Sequence, residues 1–368
     1  MSKTPTDREK IRRQAAENPE EFSNDELIAA VCKYFCRGMT PAEIRKAVLE
    51  KLGISLTREQ PYRLLSTAGQ RNLLSFKAPL ATELENQIAR DCGWLKDVRV
   101  VRTAVSDDVS YRVAETLLDH VCALSKTRSA DKAVHIGFAG GKALRKTAKI
   151  FSEMLREPRM DLPQTIIFHA IVAGFQVMDP STDPNGFFNY FAGEMDLQVQ
   201  AEFIGLPAPV IVKSGEIGKL RTISYLSEAF DSVKDIDIIV TSAGGHWQQG
   251  HSSFFSLLSK ASPQTVEQLT KAGCIGDLMW RPLGKEGPLK VDTDMRTVTL
   301  IEPSALPEFI KRGKSVILLV GPCGTCGRPK VDVLGAILAK RNLITHLVVD
   351  SRSARAYLAG KQQKPAAN

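Results

Sequence analysis

Ser315-Val316-Ile317-Leu318-Leu319-Val320-Gly321-Pro322-Cys323-Gly324-Thr325-Cys326-Gly327-Arg328-Pro329-Lys330 is the stretch that decides the fold. An apolar run of strand length gives way to a loop of Gly, Pro and Cys, and a helical pattern from Val331 to Lys340 follows. That order, strand then loop then helix, is the repeating half of a βαβ unit. The run from Ser315 to Gly321 is also the longest apolar stretch of the chain, far below the ~20 residues a membrane-spanning helix needs.

Working outward, the same alternation recurs from Pro79 to the C-terminus. Strands are expected at Val98 to Val101, Val134 to Phe138, Thr165 to Val172, Val210 to Val212, Ile236 to Thr241, Val298 to Ile301, Val316 to Val320 and His346 to Val349. Helices are expected at Asp108 to Leu124, Lys142 to Leu155, Phe187 to Phe203, Ser252 to Lys260, Val331 to Lys340 and Ser353 to Leu358. Strands alternating with helices imply a mostly parallel sheet and an α/β, Rossmann-like domain.

The N-terminal part reads differently. Leu27, Ile28, Val31, Tyr34 and Phe35 recur at helical spacing and stop at Gly38. Thr40, Pro41 and Glu43 then form a capping-box start for a second helix, which runs through Ile44, Ala47, Val48 and Leu52 to Gly53. A third helix, expected to begin at Pro61, carries Tyr62, Leu64, Leu65 and Ala68 on an apolar side, with Arg58, Arg63 and Arg71 outward. Three short helices with a glycine-containing turn and bases on the third are a helix-turn-helix signature, with a helical interaction or dimerisation module as the alternative.

Charge supports the first reading. The chain of 368 residues carries a net +8, and the segment from Lys33 to Lys77 alone carries +6. A local basic excess of this kind suits a polyanion, and a solvated basic helix face is the plainer account. At 43% hydrophobic and 24% charged residues the composition is globular, and the length favours two or three domains. Seven cysteines in no framework fit reduced thiols, and the polar N-terminus has no apolar signal region, so the expected compartment is the cytoplasm. The expected layout is a flexible tail at 1–20, a DNA-binding domain at 21–78, a linker helix at 79–95, an effector domain at 96–360 and a flexible tail at 361–368.

In an open parallel sheet, ligands sit at the carboxyl ends of strands, so the loops there are the candidate site. Gly140, Gly141 and Lys142 open a helix after a strand, where backbone N–H groups and a lysine can receive an anion; a tight turn is the alternative. Ser242, Gly244 and Gly245 leave room for a ligand, and the next residue, His246, reads as a base, a ligand contact or a solvent-facing loop residue. Asp277 can accept hydrogen bonds from hydroxyls, or be an ordinary turn residue. Arg328 and Lys330, before a helix, make a phosphate clamp. Cys323 and Cys326 have the spacing of a metal-binding or redox pair, but a structural zinc site needs four ligands and no second suitable pair follows. No metal and no cofactor are therefore expected.

Several segments occur together in a particular order: Leu52 to Ser55 with Tyr62 to Ala68, Ile136 to Leu144, Ala272 to Leu278, Gly327 to Lys330, Ala336 to Leu338 and Leu343 to Asp350. Together they resemble the SorC family (SorC/DeoR type) of sugar-responsive bacterial transcriptional regulators, from about Asp25 to Leu358. The resemblance implies an effector domain similar in fold to ribose-5-phosphate isomerase and glucosamine-6-phosphate deaminase. It further implies a phosphorylated sugar as effector, operator DNA as partner and assembly as a homotetramer or dimer; no enzymatic activity is expected, and the short apolar runs make a membrane partner unexpected.

Effector contacts are then expected at Gly140, Gly141, Lys142, Ser242, Gly244, Gly245, Asp277, Arg328 and Lys330, and DNA contacts at Arg58, Tyr62, Arg63 and Arg71. The chain departs from the family in three places. Ala143 stands where a Thr or Ser is usual, the last loop is longer by Pro322 to Cys326, and the turn before the third helix is longer and contains Pro61. Two rival readings remain: a sugar-phosphate isomerase or deaminase using Asp277 or His246, and a thiol- or metal-responsive regulator using Cys323 and Cys326.

Overall fold

The computed structural model describes residues 24–71, 73–74, 77–129, 131–174, 180–193 and 196–362. The expected tail at 1–20 lies outside them, as does most of the one at 361–368. By contacts the chain divides into two units, Met1–Lys77 and Ala78–Asn368.

The first unit holds α1 (Asn24–Cys36), α2 (Pro41–Leu52) and α3 (Gln60–Gln70). At the start of α2 the capping box is complete: the Thr40 hydroxyl accepts from the Glu43 N–H, and the Glu43 carboxylate accepts from the Thr40 N–H at 2.7 Å. Gly53 ends the helix at φ 70°, a left-handed conformation glycine takes without strain. The core beneath is made by Val31, Tyr34, Ile44, Val48 and Leu56, with Ile28, Cys32 and Ala68 in a second small cluster. Tyr62 departs from the expected apolar side: it is 57% exposed, because the face of α3 that packs inward carries Pro61, Leu64 and Ala68 instead. Gly53 to Glu59 separate α2 from α3, a connection longer than the 3–4-residue turn of the common motif.

The second unit is built on strands β1 (Asp97–Val101), β2 (Val134–Phe138), β3 (Thr165–Ala170), β4 (Gln200–Ile204), β5 (Ile211–Lys213), β6 (Ile238–Gly244), β7 (Gly276–Leu278), β8 (Arg281–Gly284), β9 (Gly287–Pro288), β10 (Met295–Thr297), β11 (Ser315–Val320) and β12 (His346–Asp350). Seven of them pair in parallel in the order β1-β12-β11-β6-β2-β3-β4. Every residue of β11 and β12 is buried, as strands covered on both faces must be. From β2 the chain steps outward through β3 and β4, then returns past β2 to β6 and steps the other way. The order therefore reverses between β2 and β6, which opens a crevice at their carboxyl ends. A short antiparallel ladder, β7-β8-β9, extends from the end of β6, and β5 pairs with β10 separately.

Aromatic packing fills one half of the core, where Phe168 and Phe191 stack at 4.1 Å between centroids and Phe151 meets both edge-on. At the amino ends of the strands, a single buried carboxylate ties several segments together. Asp237 accepts two hydrogen bonds from the Arg128 guanidinium at 2.7 Å, one from Lys314 Nζ at 3.0 Å and one from the His135 main chain at 3.0 Å. Burial alone would raise its pKa, but these donors outweigh it and hold the carboxyl at about 2.

Four expectations about elements are corrected. Phe187 to Phe203 is not one helix: a short helix (Pro184–Phe187) and a single turn (Phe188–Tyr190) precede strand β4. Its aromatics fall at helical spacing, but Gly193 at φ 72° breaks the chain, and Gln200 and Glu202 then point outward while Ala201 and Phe203 turn inward. Val298 to Ile301 is no strand; the ladder to β5 is made by Met295–Thr297, and only an isolated bridge joins Thr299 to Val172. Val210 to Val212 is shifted to Ile211–Lys213 and lies outside the main sheet. The helix within 79–95 (Thr82–Asp91) is no linker, since Leu84, Ile88 and the adjoining Cys92 are buried in the main core of the larger unit. Among the described residues no helix is long and apolar enough to cross a membrane.

Candidate functional site

The crevice between β2 and β6 holds a cleft of about 350 Å³, within the size range of small-ligand pockets. The segments that follow β1, β2, β6 and β11, together with the β7–β8 turn, supply its walls. After β2, Gly140 and Gly141 lead into helix Lys142–Met154, which presents its N-terminal N–H groups, Lys142 and Lys146. Gly141 adopts φ 135°, and a Cβ on Gly140 would stand 2.6 Å from the Trp280 ring, so both positions require glycine. Lys146 is ion-paired with Asp107.

The end of β6 supplies Ser242, Gly244 and Gly245, and β7 brings Asp277 beside them. The approach is tight: a Cβ on Gly244 would lie 1.9 Å from Asp277 Oδ2. Ser252 Oγ donates to Oδ2 at 2.5 Å and also caps helix Ser253–Ala261 by accepting from the Phe255 N–H. Asp277 is nearly fully buried, and burial raises its pKa to about 6, with Ser252, Lys330 and the Trp280 N–H only partly offsetting it. Lys330 donates to the Ala243 carbonyl at 2.9 Å, and its own pKa is lowered by burial.

Trp280 arrives by an unusual turn. Leu278 pairs with Arg281, so Met279 and Trp280 are the two residues of a hairpin loop, at φ 54° and 57°. Asn or Gly is usual in this mirror-image turn, and bulky side chains there are strained. The Thr297 hydroxyl donates to the Trp280 carbonyl at 2.5 Å and holds the indole against Gly140. Chemically, the cleft can receive an anion at the lysines and the helix N-terminus, and hydroxyl groups at Asp277 and the serines, with an indole beside them.

Of the nine residues expected to contact an effector, eight line this cleft; Arg328 does not. Its Nε donates to Cys326 Sγ at 3.3 Å and the side chain is exposed, so of the two bases expected to form a clamp only Lys330 lines the cleft. Residues that sequence reasoning missed here include Ser106, Lys146, Ser252 and Trp280. Ser252 alone carried a signal, as a serine directly ahead of a helical pattern. The structure also joins two loops that were read apart: a ring nitrogen of His246 and the sulfurs of Cys323 and Cys326 all lie within 4.8 Å of one another.

In the helical unit, Arg58, Tyr62, Arg63 and Arg71 are all exposed. Arg63 is paired with Glu59 at 3.3 Å and Arg71 with Asp25 at 2.7 Å.

No protein-family model matches the sequence, and no curated protein sequence matches it. Solved structures do. The full-length sorbitol operon regulator SorC of Klebsiella pneumoniae is similar over 92% of this chain and 100% of its own, at 16% identity and a TM-score of 0.58. A transcriptional regulator from Streptococcus pneumoniae is similar over 77% of this chain and 98% of its own, at 17% identity and a TM-score of 0.58. For a DeoR family transcriptional regulator from Listeria monocytogenes the shares are 75% and 98%, at 20% identity and a TM-score of 0.56. At these identities the likeness is one of fold. The chain has the α/β fold of SorC- and DeoR-type regulators, as the resemblance of its motifs implied.

Proposed function

We propose that this chain is a SorC-type, DNA-binding transcriptional regulator whose effector is a small phosphorylated sugar or polyol held in the crevice between β2 and β6. One observation carries the reading. Lys142, Lys146 and a helix N-terminus lie in the same cleft as the Asp277 carboxylate and the Ser242 and Ser252 hydroxyls, an anion receptor beside a hydroxyl receptor. The nine expected effector contacts are proposed with Arg328 removed and Ser252 and Trp280 added. Ala143 leaves no hydroxyl at its own position, while the Ser106 hydroxyl lines the same cleft.

A thermal-shift series against phosphorylated sugars and polyols tests this. A ligand present at ~100 times its Kd adds about 2.7 kcal/mol, which for a unit of this size raises Tm by about 5–10 °C. A flat series, with the unphosphorylated compounds included, removes the reading.

The helical unit is proposed to bind operator DNA through α3, in a homodimer or tetramer acting in the cytoplasm. Arg58 and Arg63 are expected to neutralise phosphates. Their joint replacement by alanine should then lower the slope of log K against log salt by about 2 while the selected sequence stays the same. Binding to a duplex selected from a random pool no tighter than to bulk duplex, at any ionic strength, is the contrary result.

A second reading, proton transfer on a sugar phosphate, is favoured only by the raised pKa of Asp277, which suits a general base. Turnover that vanishes in Asp277→Asn would establish it.

A further inference from the structure

We propose that His246, His251, Cys323 and Cys326 form a tetrahedral zinc site at the rim of the cleft. The site does not depend on the regulatory reading, since it rests on the side chains of two loops and on nothing the effector supplies.

Three of the four ligand atoms already converge: a His246 ring nitrogen, Cys323 Sγ and Cys326 Sγ lie within 4.8 Å of one another. The fourth is adjacent, with His251 Nδ1 3.7 Å from Cys323 Sγ. Zinc–sulfur and zinc–nitrogen bonds of about 2.3 and 2.0 Å put tetrahedral ligands about 3.3–3.8 Å apart. The His251–Cys323 pair therefore has the required separation, and the atoms of His246, Cys323 and Cys326 need to close on one another by about 1–1.5 Å at most.

The geometry has a cause in each loop. His246 directly follows Gly245 at the end of β6 and is held in the left-handed region at φ 55°, ψ 47°, a conformation costly for a residue with a side chain. A single helical turn, Trp247–Gln249, and Gly250 at φ 66° then bring His251 back beside it, with the two rings 6.0 Å apart. The cysteine loop follows the neighbouring strand β11 and is closed on itself by Cys323 N–H to Arg328 O at 2.9 Å and Gly327 N–H to Cys323 O at 2.8 Å. Adjacent parallel strands thus deliver the two loops to one place.

Independent of proximity, one atom is unexplained without a ligand. His246 Nε2 is buried and has no hydrogen-bond partner. A buried imidazole nitrogen without a partner is costly, and coordination removes the cost. Arg328 Nε donating to Cys326 Sγ at 3.3 Å gives the sulfur an outer hydrogen-bond partner of the kind that orients metal ligands.

The spacings are those of zinc ligands: two residues separate Cys323 from Cys326, and four separate His246 from His251. Two sulfurs and two imidazoles select zinc over magnesium or calcium, which take oxygen. On binding, both thiols release their protons to solvent, and two thiolates balance the dication. His251 and Cys323 also line the cleft, so the metal fixes one of its walls.

The test uses the full chain, reduced and stripped with EDTA. Titration with Co²⁺ should produce thiolate-to-cobalt charge transfer and the intense visible bands of a tetrahedral ion, reversed by one equivalent of Zn²⁺. Cys326→Ser and His251→Asn, both at partly exposed positions, should each weaken Zn²⁺ by at least 10-fold in competition with a chromophoric chelator, with the Tm of the metal-free protein unchanged. Cys323→Ser/Cys326→Ser should abolish the charge-transfer band. The proposal is overturned if the band is absent in wild type. It is also overturned if the band survives the double replacement, which would place the metal elsewhere, as on Cys32 and Cys36.

Discussion

Replacing Asp237 with alanine will destabilise the larger unit by about 3–5 kcal/mol, because it leaves the half-buried Arg128 and Lys314 without their shared counter-charge. In a thermal melt at pH 7 the loss should appear as a fall of about 10 °C in Tm. Asp237→Asn should cost less, since an amide oxygen can still accept from the His135 main chain. The pH dependence has a definite sign. The folded carboxyl is depressed to about 2, below the ~3.9 of an unfolded chain, so its contribution is complete above about pH 4 and is lost as pH falls through about 2. Wild type and Asp237→Ala should therefore converge in stability toward pH 2. A gap that stays constant from pH 7 to pH 2 would mean that the ion pairs are not what Asp237 contributes.

Asp277 behaves in the opposite way. Its folded pKa is raised to about 6, so stability from the neutral carboxyl is complete below about pH 4 and is lost as pH rises through about 6. At pH 8 the protein carries a buried, ionised carboxylate at a cost of about 3 kcal/mol. Asp277→Asn removes that cost and should raise the Tm of the ligand-free protein at pH 8, with no gain at pH 4. The same variant should lose at least 10-fold in affinity for a phosphorylated sugar, because an amide cannot accept from ligand hydroxyls on both of its atoms. Stability gained and ligand lost in one substitution is the mark of a residue kept for binding. Equal Tm values at pH 8 would show that Ser252, Lys330 and the Trp280 N–H fully compensate the buried charge.

How much of this was legible in the sequence varies with the physical origin of each signal. The strands β11 and β12 announce themselves because burial on both faces demands apolar runs, and α2 because its cap uses side chains at fixed spacing. Strand β4 was hidden because it lies at the sheet edge, where Gln200 and Glu202 face outward and the preceding aromatics mimic a helix. The glycines of the cleft were legible, since close approach leaves no other choice. Their purpose at Gly244, to admit the Asp277 carboxylate from another strand, is a distance that no local pattern encodes. Trp280 was missed because a bulky residue at positive φ contradicts turn chemistry, and the Thr297 hydroxyl that holds its carbonyl comes from outside the turn. His246 reads as a base, a ligand contact or a solvent-facing residue, but its meeting with His251 and the two cysteines was overlooked for a different reason. A partner for Cys323 and Cys326 was sought after them, whereas the parallel sheet brings it from the preceding strand.

The sheet order sets a schedule for making the molecule. Strand β1 pairs only with β12 within the sheet, although about 250 residues separate them along the chain. On a ribosome adding 5–20 residues per second, the segment Asp-Val-Arg-Val-Val emerges roughly 10–50 s before the strand that will cover its edge. Until then the N–H and C=O groups on the side that β12 will cover are an open template for any extended chain nearby. The same late arrival brings Cys323, Cys326 and Lys330. A chain truncated before β11 can neither shelter its first strand nor complete the cleft, so nascent fragments are dangerous before they are useful.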